Sequence, residues 1–249
     1  TAYEISTRDW SSDVCSSDLE ARNTVWLEIY QVIVRVGWIF KTETIIMPAV
    51  LDAVVDSGLL RGLLPVLNRG GQSLPPLFVS DALGRLPRKK WALVATSLAM
   101  AACFGVLAAA WSPLEARRPD LLALLFLVLY GLFSTAIGLN QLVLAALQGK
   151  LIAPGHRGRA MVVSVAIGSV LAIGAAVVLL RPWLGDPDGF PKIFGVTGLF
   201  FALAAIAPLF LDEPADQPRT ARESRAGGGS APAGFVGRSL ATVARGIGS

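Results

Sequence analysis

The sequence predicts an all-α membrane protein, a bundle of six transmembrane helices. Three observations predict it. Only 16% of the residues are charged and 53% are hydrophobic, with a mean hydropathy of +0.59, whereas an ordinary soluble domain is about 25% charged. The apolar residues fall in blocks of about 20, the length of helix that crosses a bilayer. The loops between blocks also differ in charge. Those after the second and fourth blocks are strongly basic, and those after the first, third and fifth are mixed or acidic. Basic loops mark the cytoplasmic face, which puts both ends of the bundle in the cytoplasm of a multi-pass cell-membrane protein.

Ser80–Trp91, SDALGRLPRKKW, sets the orientation. It lies between two long apolar runs, and each of its charges would cost roughly 2.5–3.5 kcal/mol at a bilayer centre. It is therefore read as a cytoplasmic turn between spans two and three.

The first 19 residues are read separately. Asp9–Leu19, DWSSDVCSSDL, is one reading frame of a common sequencing adapter, and Thr1–Ile5 fits its far end. Such scars are excluded from fold reasoning, so 1–19 is expected to be a non-native tail that packs against nothing. Setting aside Arg8, Glu4, Asp9, Asp13 and Asp18 takes the net charge from +4 to +7. The native sequence is expected to begin at Glu20 as a gene fragment.

The bundle is expected over 20–211, in six spans. Span one, 27–54, carries Lys41 and Glu43 near its centre, and Pro48 is expected to kink its outer half. Span two, 58–82, holds Asn68, Arg69, Gln72 and Ser73 near mid-depth. Its Gly70 and Gly71 allow close helix approach, and Pro75 and Pro76 should loosen its inner end. Span three, 91–111, has no charged residue and a Trp at each end, as interfacial belts favour. Span four, 121–147, carries Tyr130, Ser134, Thr135, Asn140 and Gln141. Span five, 160–180, carries Ser164 and Ser169, and span six, 193–211, closes the bundle. Residues 212–249 read as a cytoplasmic linker. At its end Val236, Leu240, Val243 and Ile247 form one apolar face, read either as an amphipathic surface helix or as part of a disordered linker.

Six spans, a basic turn after the second and a linker after the sixth resemble the N-terminal half of a major facilitator superfamily transporter. The family signature G-x-x-x-D-R-x-G-R-R lies over Ser80 to Lys89. Arg85, Arg88 and Lys89 match its basic positions. Gly84 stands where the family has Asp, and Asp81, one turn earlier, is the substitute. The HRGR run at His156 to Arg159 looks like the family's basic turn before span five. The glycine-proline signature of drug antiporters is absent from that span. The resemblance implies two six-span halves rocking around a midplane site, with a C-terminal half beyond this chain and with Asp81, Arg85, Arg88 and Lys89 as a cytoplasmic gating loop. It implies spans one, two, four and five nearest the pathway, and the residues agree, since spans three and six have uncharged interiors.

Ionisable groups inside a membrane are costly and suggest function by default. Glu43 and Arg69 are about equally far from the turn joining spans one and two, so an interhelical ion pair is expected, with Lys41 turned toward the cavity. The alternatives are a neutralised packing cluster, or a Lys41 that snorkels. Asn68 and Gln72 on span two join the pathway set, and Tyr130, Asn140 and Gln141 on span four are weaker candidates, since polar residues in bundles often only bond neighbouring helices. His156 reads as a loop residue.

The expected function is secondary active transport of a small, anionic solute by alternating access, coupled to a proton or sodium ion, with Glu43 as the proton-carrying candidate. The alternative is a membrane scaffold or sensor on the same fold. One His and two Cys, Cys15 and Cys103, offer no metal framework. No phosphate loop, nucleophile elbow or paired catalytic carboxylates occur. Neither an enzyme, a cofactor nor a nucleic-acid partner is expected.

Overall fold

The computed structural model describes the backbone of residues 2–42, 46–55, 57–184, 186 and 188–216, and side chains from Asp18 onward. Among these residues the regular structure is entirely helical. The elements are α1 (Ala2–Ile39), α2 (Ile46–Val54), α3 (Gly58–Gly84), α4 (Lys90–Glu115), α5 (Pro119–Leu151), α6 (Pro154–Ala175), a π turn (Ala176–Leu180), α7 (Arg181–Trp183), α8 (Gly189–Ala204) and a 3-10 turn (Ala207–Phe210). By contacts the chain divides at Ala215, and only Asp216 of the second unit is described. The apolar stripe expected at 236–247 lies outside the described residues.

Among the described residues, four segments are long and apolar enough to cross a membrane: Lys90–Glu115, Pro119–Leu151, Pro154–Trp183 and Gly189–Phe210. The segments expected as spans one and two are built differently. Span one is broken into α1 and α2. The break precedes Pro48 rather than following it, because proline cannot donate to the carbonyl four residues back and is best accommodated in a helix's first turn. Pro48 accordingly stands in the first turn of α2. Helix α3 runs unbroken through Pro65, Pro75 and Pro76, and its load of Arg61, Asn68, Arg69, Gln72 and Asp81 sets it apart from the four apolar segments. Helix α1 continues back through the adapter-like stretch to Ala2. Asp18 and Leu19, at the end of that stretch, are exposed. The π turn arises from Pro182, which has no N–H to return to the Val178 carbonyl.

Helix α1 packs on α6, α8 and, more lightly, α5. Helix α5 packs on α3 and α4, and α4 packs on α8. One apolar core lies toward the α2 end, built on Phe40, Phe104, Trp111, Phe126, Phe133, Phe194 and Phe201. A second surrounds Leu27, Tyr30, Leu93 and Leu147. Large apolar side chains such as Phe78, at 81% exposure, and Val170, at 70%, face outward. In water such a surface would be an aggregation liability, whereas in hydrocarbon it costs nothing.

The tightest contact joins α3 to α5. A Cβ on Gly71 would stand 2.7 Å from the Cβ of Ser134, and one on Gly138 would stand 2.5 Å from the Gln72 carbonyl oxygen. Ser134 and Gly138 are one turn apart on α5, the small-residue pattern that lets membrane helices approach. Pro75 and Pro76 also leave the Gly71 and Gln72 carbonyls without their helical donors, so the exposed edge of the α3 backbone meets a glycine. Gly138→Ala should destabilise the protein by about 1–3 kcal/mol through overpacking against backbone. Gly149→Ala, with open space around it, should be neutral or slightly stabilising. Thermal unfolding of the detergent-solubilised protein measures both, and equal melting temperatures would contradict the assignment.

Candidate functional site

The expected pathway residues separate in the structure. Glu43 lies outside the described residues, and with it the expected pairing to Arg69. Arg69 is exposed on α3, while Asn68, one residue earlier, is buried and accepts a hydrogen bond from the Gln72 side-chain amide. Lys41 does not reach an aqueous surface. It is 8% exposed, with Nζ 5.3 Å from the ring centres of both Trp38 and Phe133. The aromatic faces supply the electrostatic attraction that water would otherwise give. Tyr130 is a core residue stacked on Phe126 and tilted against Phe133. Ser164 donates to the Ala160 carbonyl of its own helix, 2.9 Å away.

Asn140 is at the centre of a buried network. It accepts from the Tyr30 hydroxyl at 2.9 Å, and its amide nitrogen donates to Thr96 at 2.9 Å and to Ser97 at 3.3 Å. The Tyr30 and Ser97 hydroxyls are 2.9 Å apart. Three helices, α1, α4 and α5, are tied through Tyr30, Ser97 and Asn140, which are almost completely buried, and the half-buried Thr96.

Above this network opens a pocket of about 210 Å³ between α1, α5 and α6. Its polar lining is Tyr30, Gln31, Arg35, Asn140 and Gln141, and Trp38 and several aliphatic side chains complete the wall. Gln31, Arg35 and Trp38 share one face of α1, being four and three residues apart. Gly168 of α6 makes room for Arg35, since a Cβ there would stand 3.0 Å from the arginine Cδ. Sequence reasoning passed over Arg35 and Gln31 as site residues, whereas Gln141 was among its weaker candidates on span four. The available signal was Gln31 and Arg35 on one helical stripe of span one, below the more conspicuous Lys41 and Glu43.

At the opposite level, the basic loops come together at one end of the bundle. Asp81, Arg85 and Arg88 are exposed there. The acidic partner of this end is Glu213, which the sequence places in the linker. Its side chain is fully buried and accepts from the backbone N–H groups of Lys89 at 2.9 Å and Lys90 at 2.7 Å, and from Lys150 Nζ at 2.9 Å. A carboxylate thus sits on the first turn of α4, where helix N–H groups and the macrodipole favour an anion. Lys150 bonds the Pro214 carbonyl at 2.6 Å and Lys90 the Leu211 carbonyl at 2.8 Å. Asn23 and the backbone of Asp212 exchange two hydrogen bonds. The stretch 211–214 is therefore an anchored clasp. An acidic residue directly after the last apolar block, facing two basic loops, was the signal for it.

Glu20 plays the same role for α6. It accepts from the Ala153 N–H at 2.8 Å and lies 3.1 Å from His156 Nδ1. The Ala153 donor first, and the His156 contact second, hold its carboxyl below the ordinary carboxylate value. The comparisons with family models, curated proteins and solved structures find no match.

The acidic contacts at this end of the molecule can be tested one by one. Glu213→Ala should cost roughly 3 kcal/mol, since it removes the carboxylate from Lys150 and uncaps α4. Asp81→Ala should stay within about 0.5 kcal/mol, as exposed sites do. A folded-state value below the unfolded one means that Glu20 stabilises at pH above the ordinary carboxylate range, and that this contribution is lost as pH falls through the lowered value. Melting temperature against pH should therefore show an acid limb that is shallower in Glu20→Gln.

Proposed function

We propose that the chain is the N-terminal six-span half of a major facilitator superfamily type secondary transporter, moving a small anionic solute by alternating access. The observation that carries this reading is the pattern of helix packing. Take α1–α2, α3 and α4 as one triplet, and α5, α6–α7 and α8 as another. Exchanging the triplets turns the α1–α6 contact into α5–α3 and the α1–α8 contact into α5–α4. The α1–α5 and α4–α8 contacts map onto themselves. Successive spans alternate in direction, so the triplets have opposite topology. Inverted three-helix repeats of this kind are nested in each half of such transporters.

Three further features support the reading. The first span leaves its helix at 40–42, and non-helical backbone is tolerated at membrane depth only inside protein or beside a cavity. The pocket is lined by α1 and α5, the two helices that the exchange makes equivalent. The basic loops, one of them carrying the SDALGRLPRKKW turn, lie at a single end with Glu20 and Glu213. On this reading a second six-span half completes the pathway, and a proton or sodium ion is the coupling species.

Topology is tested by single cysteines at Arg88, Arg157, Ser112 and Asp186, labelled in intact cells with a membrane-impermeant maleimide. Ser112→Cys and Asp186→Cys should react, and Arg88→Cys and Arg157→Cys should react only after permeabilisation. Labelling of the two basic loops from opposite faces would remove both the six-span topology and the family reading. Co-expression with a second half should be required for solute movement, and transport by this chain alone would contradict the half-transporter assignment.

A further inference from the structure

We infer that the pocket around Arg35 is the binding seat for a small monocarboxylate with a compact apolar body, the carboxylate held by the Arg35 guanidinium. Arg35, Gln31, Gln141 and Trp38 line one small cavity, and none of their side-chain donors is used among the described residues. Among the described residues, Arg35, Gln31 and Gln141 make no hydrogen bond or ion pair. The indole N–H of Trp38 is buried without a hydrogen-bond partner. Unsatisfied donors of this kind are costly away from water, and a single guanidinium presents a planar fork that matches one carboxylate.

The rest of the wall selects the remainder of the ligand. Val34, Met100, Ile137, Leu144, Met161 and Val165 are apolar, so the body must be too. The volume of about 210 Å³ is smaller than the usual drug-sized site of roughly 300–1,000 Å³, which favours a solute with about ten heavy atoms. Among the described residues no acidic side chain lines the pocket, so a cation has no counter-charge there. Lys41 and Arg69 take no part in this seat: one is enclosed by aromatic rings and the other is exposed on α3. The inference deepens the transporter reading and rests on it for every step after binding, so its test reads binding alone.

The probe is 4-fluorophenylacetate, followed by fluorine NMR with this chain in nanodiscs of zwitterionic lipid. Saturable binding is expected, displaced by phenylacetate and not by phenylacetamide, which has the same shape without the charge. Arg35→Gln should weaken binding at least tenfold, and Arg35→Lys less. Gly168→Ala, which keeps the guanidinium but crowds its stem, should also weaken it. Lys192→Gln, in the first turn of α8 and outside the pocket lining, should leave it unchanged. Absence of saturable binding, equal displacement by the amide, or unchanged affinity in both Arg35→Gln and Gly168→Ala would overturn the inference. If Arg35→Gln fails to fold, the amide comparison and Gly168→Ala still decide. Displacement of the probe by a few mole per cent of phosphatidylglycerol would assign the seat to a lipid head group and overturn the solute. Binding here with no movement through the completed protein would refute the transporter and leave the seat standing. Transport of an uncharged solute without probe binding would do the reverse.

Discussion

Hydrocarbon offers no water to a polar group, and the arrangement of this bundle obeys that constraint. Thr96, Ser97, Ser134, Ser164 and Thr197 return their hydroxyls to carbonyls three or four residues back on their own helices. These residues are polar in composition and nearly neutral in effect. Asn140 cannot satisfy itself in this way. It has two donors and an acceptor, and it recruits Tyr30 from α1 with Thr96 and Ser97 from α4. This buried amide on α5 thus fixes the mutual rotation of three helices, and it does so directly beneath the pocket. The contrast with Arg35, Gln31 and Gln141 is sharp because the polar groups around them are satisfied.

The same rule operates with charge at the basic end. Each loop there carries several cations, and like charges brought together repel. Two carboxylates, Glu213 and Glu20, each take a position at a helix start. Glu213 brings the α3–α4 loop, the end of α5 and the residues after α8 to one point, and Glu20 joins α1 to the start of α6. In both cases the carboxylate is bound by backbone N–H groups as well as by a cationic or ionisable side chain. The attachment therefore survives changes in side-chain charge better than a surface ion pair would.

The class of fold was legible in the sequence because the physics of spanning is coarse: blocks of about 20 apolar residues and basic loops suffice to read it. The break in span one was half legible. Pro48 marked the disturbance, but its placement required knowing that proline disrupts the turn before it. The close approach of Gly71 to Ser134 and of Gln72 to Gly138 was visible only as a pair of glycines in span two, since the partner on α5 is set by three-dimensional register. An acidic partner for the basic turn was expected at Asp81, one turn away in sequence, and Asp81 is exposed. The carboxylate at the start of α4 comes from Glu213, more than 120 residues away. Arg35 was overlooked because its significance lies in what it lacks, and an unpaired donor cannot be read from a string of residues.

Trp38 connects these observations. The ammonium of Lys41 lies over the face of its indole, while the ring also forms part of the pocket wall. A cation over an indole face draws on the negative part of the ring's quadrupole and leaves the edge, with its N–H, the more positive. The lysine that sequence reasoning aimed at the cavity is therefore coupled to the pocket through an aromatic ring, without touching its contents. Lys41 also stands in the non-helical turn, 40–42, that ends α1. The end of the first helix and the unsatisfied donors beside it are in this sense one feature, joined by the ring between them.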